Sequence, residues 1–274
     1  MRNLKYAFLP IFVFLLIFSG FTKKSSAEDN WDISVAPYMW FSSMTGDATV
    51  NGNTSEIDAS FSDLWDTLKF AASLHIEAYN KPTRFGLLLD GMYIKLENSV
   101  SVNPLNGPIG VNAELGTKFL MLDEGIFYRL IEEGSSGSTV NSKPKFTLDG
   151  LFFGRIWYME QTIDFQGQGP VGLGTSVSGD KTWFDFNLGL RSSIFLTEKL
   201  RAILRTDVGG FGLGFSSDIT WSGLGGLGYA LTDHIEAIIG FRGLYVNYDD
   251  GSGANRFELD LWMYNPYIAF NFMF

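Results

Sequence analysis

The chain alternates. From Phe70 to Tyr79 one face carries Phe70, Ala72, Leu74, Ile76 and Ala78, and the other Ala71, Ser73, His75, Glu77 and Tyr79. A period of two marks a strand whose two faces meet different surroundings. Arg84–Leu96 repeats the pattern, with Phe85, Leu87, Leu89 and Tyr93 against Asp90. In 145–158, Phe146, Leu148, Phe152, Ile156 and Tyr158 oppose Lys145, Asp149 and Arg155. In 183–195, Phe184, Phe186, Leu188 and Leu190 oppose Asp185, Asn187, Arg191 and Ser193. A soluble strand averages about 5–6 residues. These segments are longer, and fit the roughly 9–11 that a tilted strand needs to cross hydrocarbon.

The connections alternate as well. Asn80–Thr83, Thr197–Lys199 and Thr232–His234 read as tight turns, whereas Ser42–Lys69, Glu97–Gly116 and Met159–Lys181 are long and polar. Short turns at one end and long loops at the other are the habit of outer-membrane barrels. Glu132–Pro144 departs from it, being long at the short-turn end. Candidate spans fall near 31–42, 70–80, 84–96, 117–131, 145–159, 182–196, 200–211, 217–231, 234–248 and 256–274. The expected fold is all-β: one transmembrane antiparallel up-and-down β-barrel of about 10 strands, with 8 or 12 as alternatives. Twelve would follow if a hairpin within 97–116 or 166–180 joined the wall. The spacing of Phe61, Leu64, Trp65 and Leu68 predicts a short helix over 61–68, capped by Ser60 or Ser62.

The two chain ends support export. Arg2 and Lys5 precede an apolar run from Tyr6 to Phe21, and Ser25 and Ala27 offer a cleavage site after Ala27. That order predicts a signal peptide over 1–27 and a barrel domain over 28–274. At the other end Ile268, Phe270, Phe272 and Phe274 share one face, and Tyr267, Ala269, Asn271 and Met273 the other. Phe270, Phe272 and the terminal Phe274 are the expected signal to the barrel assembly machinery. Trp262 and Tyr264 are placed as interface aromatics, with Glu258 and Asp260 above the hydrocarbon.

Composition narrows the functions. The formal charge is −10, and removal of 1–27 takes four cations and no acid, leaving −14. An acidic chain without a basic block does not suit nucleic acid. The absence of cysteine excludes disulfides, thiolate catalysis and iron–sulfur clusters. Two histidines and no cysteine leave little for zinc. No metal and no cofactor are expected; the partners expected are outer-membrane lipid, lipopolysaccharide and the assembly machinery.

The stretches Val35–Trp40 (Val-Ala-Pro-Tyr-Met-Trp), Phe85–Tyr93, Asp207–Gly212 and Phe241–Tyr245 with Tyr248–Gly251 resemble a family of uncharacterised bacterial outer-membrane β-barrel proteins. More loosely, the chain is similar to the small OmpA- and OmpW-like barrels. The resemblance implies fold and location, and no functional residue.

Charges should point into the lumen, because Arg or Lys facing lipid costs roughly 2–4 kcal/mol at the midplane. The expected lumen network is His75, Glu77, Asp90, Asp149, Arg155, Asp185, Arg191, Arg205, Asp207, Glu236 and Arg242. Adjacent Asp123 and Glu124 take opposite faces, so one of them breaks this rule. In a barrel this narrow, side chains can fill the interior, so the lumen is either plugged or a narrow channel for small solutes. An enzymatic alternative exists. A turn at Asn80–Thr83 would set Ser73 opposite Asp90 with His75 one step along, the parts of a membrane-embedded lipid-modifying enzyme. A third reading is a surface binding or adhesion protein working through its long loops. Gly167–Gly172 and Gly223–Gly228 match a dinucleotide fingerprint in letters only, since neither opens a helix. The acidic Asp249–Gly253 stretch lacks calcium-loop spacing and reads as a hairpin turn.

Overall fold

The computed structural model describes residues 30–50, 52–102, 111–134, 144–167 and 174–274. The signal read at 1–27, and the Gly167–Gly172 pattern after its first residue, lie outside the described residues. The strands are β1 (Trp31–Trp40), β2 (Ser43–Val50), β3 (Asn53–Ala59), β4 (Leu68–Asn80), β5 (Phe85–Val102), β6 (Val111–Glu133), β7 (Phe146–Gly167), β8 (Gly174–Phe195), β9 (Leu200–Gly210), β10 (Ile219–Ala230), β11 (Ile235–Asp250) and β12 (Phe257–Met273). One helix, α1 (Phe61–Thr67), lies between β3 and β4.

Ten strands form the wall. β1 pairs with β4, each strand from β4 to β12 pairs antiparallel with the next, and β12 returns to β1. Closure gives each wall strand a partner on both sides, which is what a sheet in lipid requires. The two extra strands come from 43–59, where the sequence suggested a loop. β1 and β2 run along β12 in one unbroken register, from Ser34↔Met273 through Trp40↔Tyr267 and Ser43↔Tyr264 to Val50↔Phe257. The pairing lapses at Ala36–Pro37, opposite Phe270 and Asn271, and at Phe41–Ser42, opposite Asn265 and Pro266. Proline has no N–H to give, so a gap in the ladder is where it is tolerated. β3 folds back on β2, and α1 packs against β2, β3 and β5 above the end of the β1–β4 ladder.

The stretches Glu97–Gly116 and Met159–Lys181, read as loops, are instead largely strand. β5 to β8 are 18, 23, 22 and 22 residues long, and their ladders run to Val102↔Val111, Val111↔Gly167 and Gln166↔Gly174. Beyond the apolar belt neither face needs to be greasy, so alternation fades while backbone pairing continues. The polar composition concealed strand for that reason. The helix forms as its spacing predicted. Ser60 is the N-cap, its hydroxyl accepting from Asp63 N–H while the Asp63 carboxylate accepts from Ser60 N–H, a reciprocal capping box. Gly223–Gly228 lies within β10, and Asp249–Arg256 turns β11 into β12 through Gly251 and a short 3₁₀ turn.

The outer surface carries the apolar faces. Phe270, Phe272 and Phe274 all point outward, as do Leu204 and Ile239. Trp262 and Tyr264 are exposed near one rim, and the Trp262 ring lies 4.7 Å from Tyr245 and 5.8 Å from Trp221. Together they make the aromatic girdle that such walls carry at an interface.

Candidate functional site

The lumen is layered along its axis. Toward the end that bears β2, β3 and α1 it is filled by apolar side chains. Met92, Phe119, Met121, Trp157, Met159, Trp183, Leu244, Val246, Leu259, Leu261 and Met263 are all buried there. The Trp183 ring stacks on Trp157 at 5.5 Å and on Tyr248 at 4.4 Å. The sequence led to a lumen face that is polar and mixed in sign, and this apolar half is the correction. The same alternation that points Asp90 inward points Leu88 and Met92 inward, and Trp157 follows Arg155 by two. The rule that apolar residues face lipid hid them. In a barrel this narrow an inward residue meets other side chains from across the lumen, and that contact is satisfied by apolar packing.

Below the apolar layer lies a charged one. Arg155 is wholly buried and grips Asp123 with Nε and Nη2 at 2.7 and 2.9 Å, reaches Asp207 at 3.2 Å and Thr220 at 3.3 Å. Asp185 accepts from Trp157 Nε1 at 2.7 Å, from Ser217 N–H at 2.7 Å and from Ser217 Oγ at 2.9 Å. These charges are buried because they are paired and bonded, the condition burial imposes. Arg155 and Arg205 also lie over the Phe153 ring, at 5.4 and 5.0 Å.

Asp123, Tyr38, Arg129, Arg201 and Tyr267 also belong to this interior, and none was included in the network expected from the sequence. Asp123 is the inward member of its pair. Glu124 takes the outer face, half-buried, and its Oε2 makes no hydrogen bond.

The third layer is a cavity of about 210 Å³. It reaches from Tyr38, His75 and Asp90 to Arg129, Arg201 and Asn271, near the end that carries Trp31, Phe274 and the short turns. His75 Nδ1 meets Asp90 at 2.9 Å and its Nε2 meets Glu77 at 2.9 Å. Arg191 bonds Glu77 and holds Asp149 at 2.8 Å, and Arg129 holds Asp149 at 2.9 Å. Arg201 grips Glu236 through Nε at 3.0 Å and Nη2 at 2.5 Å. Arg242 donates to Tyr38 Oη at 3.2 Å, and Tyr38 donates to Asp90 at 2.9 Å. All eleven residues of the expected network lie in the charged layer or around this cavity. Glycines shape its far wall: a Cβ at Gly226 would meet Tyr267 Oη at 2.6 Å, and one at Gly228 would meet Glu236 at 2.3 Å.

The enzymatic arrangement fails on register. The turn spans Lys81–Arg84, one residue later than expected, and pairs Asn80 with Phe85. Asn80 Oδ1 accepts from Thr83, and Arg84 takes a φ of +61° to finish the turn. Asp90 therefore lies opposite His75, and Ser73 opposite Met92. The Ser73 hydroxyl donates to the Tyr38 carbonyl, and both His75 nitrogens face carboxylates, so the serine has no base. Among the described residues no group of three or more His, Asp or Glu side chains is placed to hold a metal ion. His234 stands exposed in a turn, its Nδ1 3.2 Å from the Met273 carbonyl.

No protein-family model matches the chain, and no curated protein matches it. Among solved structures, the outer membrane protease OmpT from Escherichia coli superposes with a TM-score of 0.55 at 10% identity, over 92% of this chain and 99% of that one. The translocator domain of autotransporter NalP from Neisseria meningitidis gives 0.48 at 12% identity, over 98% and 96%. Ail, the attachment invasion locus protein of Yersinia pestis, gives 0.31 at 9% identity, over 89% and 99%. At such identities the likeness concerns fold alone. The fold is that of a bacterial outer-membrane β-barrel, closed with ten strands.

Proposed function

We propose that this chain is an exported, non-enzymatic outer-membrane barrel whose lumen is sealed on its outer side. Residues 1–27 would direct export, and Phe270, Phe272 and Phe274 would present the last strand for assembly. The observation that carries the reading is the apolar layer. Trp157, Met121, Leu244, Leu259 and Met263 are essentially without solvent contact, which supports a lumen closed at this level. Beneath it Arg155, also wholly buried, closes the axis with its acids. The task that remains is structural, or is performed at either end of the plug.

Planar-bilayer recording tests this. Purified full-length protein is expected to stay silent across salts and small solutes. The double variant Trp157→Ala, Met121→Ala, which hollows the apolar layer, is expected to give measurable current. Steady unitary conductance from the parent protein would overturn the seal.

A second reading draws on β5 to β8, whose ladders rise well past the aromatic girdle. Such an upright sheet is a platform for surface binding. Trimming 99–114 together with 163–177 should leave a heat-modifiable barrel and abolish any cell-binding phenotype; unchanged binding would dismiss the platform.

A further inference from the structure

The inner cavity is basic in a chain that is acidic. Its walls hold five arginines (129, 191, 201, 205 and 242) against Glu77, Asp90 and Asp149, while the whole sequence carries −10. Most of those arginines are spent. Arg191 is shared between Glu77 and Asp149, Arg129 between Asp149 and Glu132, and Arg201 is locked to Glu236.

Arg205 and Arg242 are held more loosely, with acid contacts of 3.5 Å or more. Among the described residues Arg242 makes one hydrogen bond, to the neutral Tyr38 Oη. Its nearest carboxylate oxygen, on Asp90, is 3.7 Å away, and its Nε has no partner. Arg205 meets Asp123 and Asp207 only at 3.5 Å each, and its Nε too has no hydrogen bond. A buried guanidinium with unused donors is costly unless something accepts from it.

The register brings the two together. Arg205 in β9 and Arg242 in β11 are both opposite Leu224 in β10. Their backbones are thus two strand spacings apart, about 10 Å. Both line the cavity, as does Leu224 between them. Two guanidinium forks that flank one apolar side chain can converge on a single planar or tetrahedral oxyanion. Tyr38, Ser34, Ser193 and Asn271 add neutral polar groups around the same space.

We propose that the inner cavity is a binding site for a small oxyanion, a carboxylate or phosphate group, held between Arg205 and Arg242 and admitted from the periplasmic end. The site does not depend on the seal above it: an anion would bind there whether or not the outer lumen conducts. The closed wall separates the cavity from lipid, so the ligand arrives as a soluble anion.

The test uses full-length protein in detergent micelles, with inorganic phosphate as probe. At matched ionic strength, phosphate is expected to raise the unfolding midpoint above that in chloride, and calorimetry to give a saturable isotherm. Arg242→Gln with Arg205→Gln should weaken phosphate binding at least tenfold. Leu224→Glu covers the case in which the double variant does not fold. Its carboxylate would sit between the two guanidinia, mimic the ligand, raise the midpoint without phosphate and abolish phosphate binding. A parent that does not distinguish phosphate from chloride would overturn the site, as would a Leu224→Glu protein that binds phosphate like the parent.

Discussion

Arg155→Met removes the cation that binds Asp123 and Asp207 most closely. The side chain makes three charge-assisted bonds to those acids, at 2.7, 2.9 and 3.2 Å, and both Arg155 and Asp123 are wholly inaccessible. Breaking a buried pair by removing one partner costs about 3–5 kcal/mol, because a charge is left buried without compensation. Arg205 reaches both acids at 3.5 Å and relieves part of this, so the lower end, about 3 kcal/mol, is the expected loss. Replacing both partners, Asp123→Leu with Arg155→Met, leaves packed apolar groups where the ions were. It should recover at least half of that loss. The assay is reversible unfolding in urea with vesicles present, followed by tryptophan fluorescence. Trp157 reports directly, since its Nε1 bonds Asp185 beside Arg155. If Arg155→Met stays within about 1 kcal/mol of the parent, the charged layer is not a paired core and the reasoning fails. A double variant worse than the single would refute the account of the cost.

Gly240→Ala should destabilise the barrel by about 1–3 kcal/mol, since its Cβ would meet Gly225 O at 2.3 Å and Tyr267 Cε1 at 2.6 Å. Gly243→Ala three residues on, where the nearest atom is 3.8 Å away, should be silent in the same unfolding assay. Ser60→Ala should cost α1 about 0.5–2 kcal/mol of local stability, seen as faster amide exchange over 60–68 with the barrel unchanged. The Ser60 hydroxyl and N–H hold the Asp63 carboxyl below its ordinary 3.8. A lowered value means the cap is fully present above 3.8 and is lost as pH falls through the lowered one. Exchange in α1 should therefore rise only in strong acid, and an increase near neutrality would contradict the capping box.

The wall was legible in the sequence because lipid imposes one simple demand, an apolar outer face, and Phe70–Tyr79 or Ile268–Phe274 answer it residue by residue. The interior was legible only for charges, since a charge facing lipid is penalised and a charge facing the lumen is not. Leu88, Trp157 and Met263 satisfy either environment, so their inward placement needed the closed barrel to reveal it. The His75–Asp90 pair was missed by one turn residue: register depends on Arg84 entering the left-handed region, which nothing in its side chain announces. β2 and β3 were hidden because they lie beyond the girdle, where period-two alternation carries no penalty for being broken.

The shared register of β1 and β2 along β12 also bears on how the barrel comes to exist. From β4 to β12 every ladder joins strands consecutive in the chain, so each can zip onto its predecessor with a short search. The β1–β12 seam joins Ser34 to Met273 and must wait until the chain ends meet, the slowest kind of contact to make. Until then two long edges stand open to any passing strand. Ile33 and Phe274 exchange both backbone hydrogen bonds at the foot of that seam, at 3.3 and 2.9 Å. That reciprocal pair fastens the foot of the seam that closes last.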